Sequence, residues 1–162
     1  MEDTLYKRIA EKRESVLKLW QAAVLPQDHG FLPKAMAAVR FSVPSDQLLN
    51  EEIAALLDWL ISNEEPVSAR LHLREICKIK AVMAQGPSEA LSFILDLKEI
   101  VRLVLTEKTE PSEGCDTCIY KELDKRIDQL LLLAFDEYSD WREKIMEIKF
   151  DEIQRLVGRN AP

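Results

Sequence analysis

The chain has 162 residues and a formal net charge of −7, from 29 acidic and 22 basic residues. This length fits one domain, and a hydrophobic fraction of 47% is enough for a core. The negative charge excludes a global attraction to nucleic acid or to an anionic membrane. Only 4 glycines and 7 prolines are present, which favours long regular elements and therefore a helical protein.

The N-terminus and the cysteines indicate a cytoplasmic protein. The first residues, MEDTLYKRIAEKRES, are charged and periodic, unlike a signal peptide. No apolar run approaches the roughly 20 residues that a membrane helix requires. Three cysteines are odd in number and sparse, which argues against an oxidised disulfide framework. We therefore expect reduced thiols, a cytoplasmic location, no membrane insertion and no nucleic-acid partner.

Apolar residues recur three and four positions apart along almost the whole chain, a spacing that predicts helices. The first helix ends at Pro26 and Gly30, and its apolar face consists of Tyr6, Ile9, Val16, Leu17, Trp20 and Val24. A second, shorter helix is predicted over about residues 34–41. It ends near Pro44, because proline lacks the backbone donor and disfavours helix at the residue before it.

Two further helices are predicted in the middle of the chain. The third begins at Ser45 or Asp46, either of which can cap exposed amides, and runs to about Ser62. Its buried stripe is expected to comprise Leu48, Leu49, Ile53, Leu56, Leu57 and Leu60. The sequence NEEPVS interrupts the chain, and a fourth helix follows through Leu71, Ile76, Ile79, Val82 and Met83.

The stretch GPSEALSF, residues 86–93, contains Gly-x-Ser-x-Ala, which is close to the turn that exposes a catalytic serine in hydrolases. That turn must follow a β-strand, whereas this stretch follows the fourth predicted helix. Both histidines, His29 and His72, precede Ser88, so the hydrolase order of serine, acid and histidine cannot be met. Pro87 fits the first turn of a helix. We interpret the stretch as a helix start and predict no catalytic residue.

The fifth predicted helix, residues 87–105, is apolar around most of its circumference and should be central. The following sequence, TEKTEPSEGCDTC, lacks an apolar period, so residues 106–118 are predicted to form a flexible loop. The last helix starts near Ile119 and could continue to Val157, where Gly158 is a natural stop.

The last helix would be about 58 Å long, whereas a compact domain of this size has a radius of gyration of about 15 Å. It should therefore extend beyond its own domain. In a monomer the apolar residues of this extension would then face water: Trp141, Ile145 and Ile148, and further along Phe150, Ile153 and Leu156. A two-fold pairing of these helices would bury them. We predict a homodimer that uses this surface, which is also the candidate surface for a protein partner. A kink near residues 136–139 could instead fold the helix back onto the core.

Two segments resemble a known family. KIKAVMAQGPSEALSFILDLK, residues 78–98, and RIDQLLLLAFDEYSDWREKIMEIKFDEIQR, residues 126–155, are similar to the N-terminal domain of RsbRD-type RsbT co-antagonists, the sensory module of bacterial stressosome proteins. RFSVPSDQLLNEEIAALLDWL, residues 40–60, resembles the Phe-x-x-Pro helix start of that family. The resemblance covers most of the chain, and its most specific parts are Ile79-Lys80-Ala81-Val82 with Pro87-Ser88, and Leu133-Ala134-Phe135-Asp136-x-Tyr138 followed by Arg142-Glu143.

The resemblance implies a single all-α, globin-like helical bundle of about six helices with a long C-terminal helix. It implies a regulatory domain without haem and without an enzymatic reaction. We expect two departures from the family pattern: a stand-alone domain with no phosphoacceptor domain after Pro162, and the Cys115-x-x-Cys118 loop, which is not part of that pattern. Free-standing relatives occur in anaerobic, sulfur-metabolising bacteria, so the resemblance suggests a stand-alone regulator or accessory protein.

Other chemical features each have a plain structural interpretation. Cys115 and Cys118 could be a redox pair or half of a metal site, but a zinc site needs four ligands and no second Cys or His pair lies nearby. His72 could ligate haem iron if the fold is globin-like, although a histidine on a helix surface is usually partly solvated. The adjacent acidic pairs at 51–52, 64–65 and 151–152 point around a helix and do not converge. We therefore predict no cofactor and no metal.

Two classes of function remain, and both concern binding. The first is a non-catalytic signalling or accessory domain that acts through protein contacts. The second is a ligand or redox sensor that uses an internal pocket or the Cys115 and Cys118 thiols.

Overall fold

The computed structural model describes residues 2–24, 44–62, 64–83, 85–106 and 116–159. Over these residues the chain is helical and contains no strand. They form six helices: α1 Glu2–Glu11, α2 Arg13–Val24, α3 Pro44–Ser62, α4 Pro66–Val82, α5 Pro87–Thr106 and α6 Asp116–Arg159. The prediction of an all-α protein with about six helices and a long C-terminal helix is therefore confirmed.

The helix ends agree closely with the predicted ones in the middle of the chain. Prolines occupy the first position of α3, α4 and α5, where the missing backbone N–H leaves no hydrogen bond unmade. The predicted helix over residues 34–41 lies outside the described residues. So do residues 107–115 of the predicted loop, whereas its last three residues, 116–118, already belong to α6.

The first predicted helix is divided in two. The structure interrupts it at Lys12, although the backbone N–H of Lys12 still donates to the carbonyls of Arg8 and Ile9 at 3.2 and 3.1 Å. The Lys12 ammonium donates to the carbonyl of Val104 at 2.7 Å, near the end of α5. A cation is favourable there because the last carbonyls of a helix carry partial negative charge. Neither glycine nor proline marks this break, so the apolar spacing alone could not show it.

The helices surround one continuous core. α6 lies against α4 and α5, α3 packs on α4, and α2 packs on both α3 and α5. The buried apolar residues of α5 lie on one broad side of the helix, whereas Leu95 and Leu103 on the other side are 47% and 56% exposed, so α5 is not surrounded as its sequence predicts. Its fully buried side chains include Phe93, Ile94, Leu97 and Val101.

Two buried aromatic side chains with polar atoms connect neighbouring helices. The Trp20 indole of α2 is fully buried and donates its N–H to the carbonyl of Phe93 at 2.7 Å. The Trp59 indole of α3 donates to the carbonyl of Glu65 at 2.9 Å, just before α4 begins. The buried guanidinium of Arg126, on α6, lies 4.6 Å from the centroid of the Trp59 ring. These contacts connect α2 to α5, α3 to the start of α4, and α6 to α3.

α6 is one helix of 44 residues, about 66 Å long at 1.5 Å per residue. It is helical throughout residues 136–139, so the alternative in which a break returns the chain to the core is not what the structure shows. The part before Tyr138 contributes Leu123, Ile127, Leu130 and Ala134 to the core. Residues 146–159, at the other end, are all exposed.

Candidate functional site

The first candidate is a group of buried polar side chains between α4 and α6. Lys80 and Glu137 are buried although they are charged, and Cys77 and Tyr138 lie beside them in the core. Each sits among apolar positions of its helix, so the packing of the core brings the four together. Buried ionisable groups are common at functional sites, and their partners decide whether they serve chemistry or structure.

Lys80 acts on the end of α2. Its ammonium donates to the carbonyl of Val24 at 3.3 Å and lies 5.2 Å from the centroid of the Phe93 ring. Burial lowers the pKa of this ammonium, and nearby Cys77 and Glu89 oppose the shift. The lysine therefore satisfies a terminal carbonyl of α2, where a positive charge is favoured by the helix dipole. This contact gives Lys80 of the Ile79-Lys80-Ala81-Val82 motif a structural role.

Cys77 is a fully buried free thiol. Its Sγ donates to the carbonyl of Ala134 on α6 at 3.4 Å. Burial, with a smaller effect from the charge of Glu137, raises the pKa of the thiol to about 12. A thiol that stays protonated and is shielded from solvent is a poor nucleophile, so Cys77 is a packing residue and not a reactive one.

The Glu137 carboxylate is paired with Arg70, whose Nε lies 2.5 Å from its Oε1. The glutamate side chain is only 8% exposed, whereas the arginine is 47% exposed. The next residue, Tyr138, donates its hydroxyl to the carbonyl of Gln85, and burial raises the pKa of that hydroxyl. These polar contacts join α6 to the first half of α4 and to Gln85, which follows α4.

The buried polar group is therefore an arrangement of structural contacts. Lys80, Glu137 and Tyr138 all have a protein partner. Among the residues that the structure describes, no group of three or more His, Cys, Asp or Glu side chains is placed to hold a metal ion. The sequence predicts no role for Glu137, and it singles out Lys80 only as part of the Ile79-Lys80-Ala81-Val82 motif. Lys80 follows Leu73, Ile76 and Cys77 at helical spacing, and that position on the buried stripe is the signal that could have identified it.

The second candidate is the far end of α6. Of the three residues predicted to form an interaction surface, Ile148 is 60% exposed. Trp141 and Ile145 are half-buried and pack on the core of their own chain. The ammonium of Lys78, on α4, lies over the Trp141 ring, 5.4 Å from the ring centroid. Two of the three predicted surface residues thus contribute to holding α6 on the body.

Further exposed apolar side chains lie on either side of Ile148, up to the end of the helix. They are Met146, Phe150, Ile153, Leu156 and Val157, each between 58% and 65% exposed. Monomeric proteins rarely leave such a group of large apolar residues together in water, so this end of α6 is a candidate interaction surface. We call residues 146–159 the arm.

A third candidate is an open groove of about 700 Å³ between α2 and α5. Its apolar lining includes Leu19, Ala23 and Leu103, and Asp96 and Glu99 lie at its side. Burial, followed by the charge of Glu99, raises the pKa of Asp96. The groove is open to solvent and is not the internal pocket that the ligand-sensor interpretation envisaged.

The remaining predicted features have clear positions. Ser88 is exposed in the first turn of α5 and follows helix α4, as expected for a helix start. The His72 Nδ1 lies 2.6 Å from the carboxylate of Glu52 on α3, so one member of the first acidic pair contacts the neighbouring helix. Cys115 lies outside the described residues. Cys118 is in the first turns of α6, and its side chain is likewise outside the description, so the predicted redox pair stays a prediction.

A comparison of this chain with protein-family models, with curated proteins and with solved structures finds no match. Within its described residues, none of the helices is both long enough and apolar enough to cross a membrane.

Proposed function

We propose that this protein is a non-catalytic regulatory or accessory domain of the RsbRD N-terminal type, which acts through protein contacts made by the arm. In this proposal it is a cytoplasmic, bacterial, globin-like domain without haem, and it works as a homodimer. The observation that carries the proposal is the shape of α6. One end of a 44-residue helix is held in the core, while residues 146–159 are exposed and rich in large apolar side chains.

The way in which α6 is held supports a role in communication. Its buried half contacts both α4 and α5, through the core and through the partners of Glu137 and Tyr138. A change in the packing of α4 would therefore alter the position or rotation of α6. Because an α-helix is continuous through its backbone hydrogen bonds, such a change reaches the arm. The all-helical body agrees with what the resemblance implies for its family.

The proposal can be tested by joining α6 to an output that depends on helix rotation. A dimeric bacterial histidine kinase domain would be fused after Arg159, with zero to seven inserted residues that continue the helix. If the arm transmits rotation, kinase activity will vary with linker length and return after seven insertions, because seven residues make about two helical turns. Activity that is independent of linker length would contradict the proposal.

A matched control uses Tyr138→Ala, which frees α6 from one of its main anchors while leaving the arm unchanged. In this variant we expect the dependence on linker length to persist, because the arm still pairs. The activity levels should change, because the body no longer fixes the rotation of α6. If the kinase activity levels do not change, α6 is a passive dimerisation helix and not a regulatory one.

A further inference from the structure

The exposed apolar side chains of the arm fall on two different sides of α6. Ile148 continues the face that carries Tyr138, Trp141 and Ile145 against the core. A second row is formed by Met146, Phe150, Ile153 and Val157. Successive residues of an α-helix are rotated by about 100°, which places this second row well away from the face that contacts the body. We call these four residues the seam.

The spacing of the seam is that of a coiled coil. Its members follow one another at four, three and four residues, which is the alternation of apolar positions in a seven-residue repeat. With Phe150 and Val157 at the a positions, Met146 and Ile153 occupy the d positions. Toward the body the next a position is Glu143, so the apolar seam begins at Met146. Short isolated helices are marginal in water, but this one is already formed because it continues α6.

The side of α6 that carries the seam is open along the helix. Leu132 and Phe135 lie on the same side, closer to the body, and are 67% and 53% exposed. The core therefore leaves this side uncovered even where α6 runs beside α4 and α5. A second helix can approach the seam without displacing a contact of the body.

The charges beside the seam favour a second copy of this chain in parallel orientation. In a parallel, in-register pair, the residue at each g position faces the e position five residues later on the partner helix. This rule places Arg142 opposite Glu147 of the other copy, and by symmetry it does so twice. The next pair along the helix, Lys149 with Gln154, contains no repulsion.

An antiparallel pair would lose this complementarity. With the two helices centred between Phe150 and Ile153, Lys149 would face Leu156, and Glu147 would face Gln154. Arg142 would lie beyond the end of the partner helix. No pair of opposite charges would then flank the apolar contacts, so the charges at the e and g positions favour the parallel arrangement over the antiparallel one.

We infer that the arm is a parallel, two-fold coiled coil between two copies of this chain, formed by Met146, Phe150, Ile153 and Val157 and aligned by Arg142 with Glu147. The inference rests on the proposed function and deepens it by assigning the partner, the orientation and the register. It moves the self-association surface from the predicted Trp141 and Ile145 to the other side of the helix. The two bodies lie at the same end of the pair, and both arms point away from them.

Cysteine cross-linking tests the orientation. Cys115→Ser and Cys118→Ser provide the background, because the remaining Cys77 is buried. We expect Val157→Cys to form a disulfide-linked dimer under mild oxidation, since the parallel pair brings the two residues 157 side by side. In the antiparallel pair residue 157 would face residue 146 of the other helix. The two residues 157 would then lie about 16 Å apart along the axis, which is too far for a disulfide. The matched control, Ile148→Cys, is equally exposed but lies off the seam and should not cross-link.

Charge reversal tests the register. Arg142→Glu or Glu147→Arg alone should weaken the dimer about threefold to tenfold, as measured by analytical ultracentrifugation, because two symmetric ion pairs become repulsive. The double variant should restore the dimer. Circular dichroism of each variant checks that the body remains folded.

Three results would overturn the inference: wild-type monomer at tens of micromolar, equal cross-linking of Val157→Cys and Ile148→Cys, or no rescue in the charge-reversed double variant. Wild-type monomer would also contradict the homodimer of the proposed function, whereas the other two outcomes concern the seam alone. A kinase fusion that responds to linker length, combined with absent cross-linking at residue 157, would remove the parallel seam and leave the regulatory role standing.

Discussion

The boundary between the folded body and the arm can be located by shortening α6 to two different lengths. Ending the chain at Lys149 removes residues 150–162, and the described residues among these are all exposed. The loss of exposed side chains changes the free energy of unfolding of the monomer by less than about 1 kcal/mol. The new terminal Lys149 also suits the negative end of the helix dipole.

Ending the chain at Asp136 should lower the free energy of unfolding much more, because it removes side chains that are packed in the core. Tyr138 is fully buried, and loss of a large aromatic residue from a core costs about 3–5 kcal/mol. Trp141 and Ile145 are half-buried, and each contributes about half of the 1.5–3 kcal/mol that full burial of a large apolar side chain is worth. The total of about 5–8 kcal/mol is comparable with the whole stability of a typical domain.

Urea unfolding followed by far-ultraviolet circular dichroism measures both changes. The experiment is done at submicromolar concentration, so that self-association does not add to the stability of the full-length chain. The variant Phe150→Asp with Ile153→Asp serves as a control of unchanged length and should match the chain that ends at Lys149. A loss of more than about 2 kcal/mol at Lys149, or less than about 2 kcal/mol at Asp136, would refute the division of α6 into an anchored half and an arm.

Three further predictions concern the buried polar group. Cys77, in the Cys115→Ser and Cys118→Ser background, should resist a thiol reagent at pH 8 and react promptly in 8 M urea; rapid labelling of the native protein would show that the thiol is accessible. Because its pKa rises from 9.0 to about 12 on folding, the folded chain holds a proton that the unfolded chain loses above pH 9, and stability should fall as pH rises through that range. Between pH 8 and 10.5 the free energy of unfolding should fall by about 2 kcal/mol more in the wild type than in Cys77→Ala. Melting both proteins over this pH range checks it, and a difference between them that stays constant with pH would contradict the prediction. Arg70→Met should lower the free energy of unfolding by about 2 kcal/mol, because it leaves the Glu137 carboxylate buried without its cation. Arg70→Met with Glu137→Met should recover most of the loss. A double-mutant cycle of unfolding free energies that shows no coupling between the two residues would contradict this pairing.

The sequence predicted the helices because each buries one continuous apolar stripe. Pro87 was predicted to start α5 and does so, whereas Pro44 and Pro66, which were interpreted as breaks in the chain, are themselves the first residues of α3 and α4. The break at Lys12 could not be placed. It involves a contact between a lysine and the last turn of α5, 92 residues away, and no local residue signals it.

The extent of the body along α6 was harder to predict for a related reason. The apolar stripe of α6 continues from Leu123 to Ile148, so the pattern identifies a face without showing where the neighbouring helix ends. The structure supplies that limit. Lys78 of α4 lies over the Trp141 ring, and Ile145 still contacts the core, whereas Ile148 does not. Burial at the end of a long helix depends on the length of its neighbours, which periodicity does not encode.

The buried polar residues illustrate a third limit. Lysine and glutamate are almost never fully buried without a partner, so composition assigns them to the surface. Lys80 and Glu137 are buried because α2 ends beside one and Arg70 reaches the other. Neither neighbour is adjacent in sequence.

Because α6 extends well beyond Tyr138, its last fully buried residue, a small tilt at that residue moves the tip of the helix over a larger distance. From Tyr138 to Arg159 the axis extends about 31 Å, so a tilt of about 10° at the anchor displaces the tip by about 5 Å. The side chains that set this angle are few: the ion pair of Glu137, the hydroxyl of Tyr138 and the Trp141 ring under Lys78. All three have their partners on α4 or just after it. A small shift of α4 that leaves its packing intact can therefore move the tip of α6 by several ångströms.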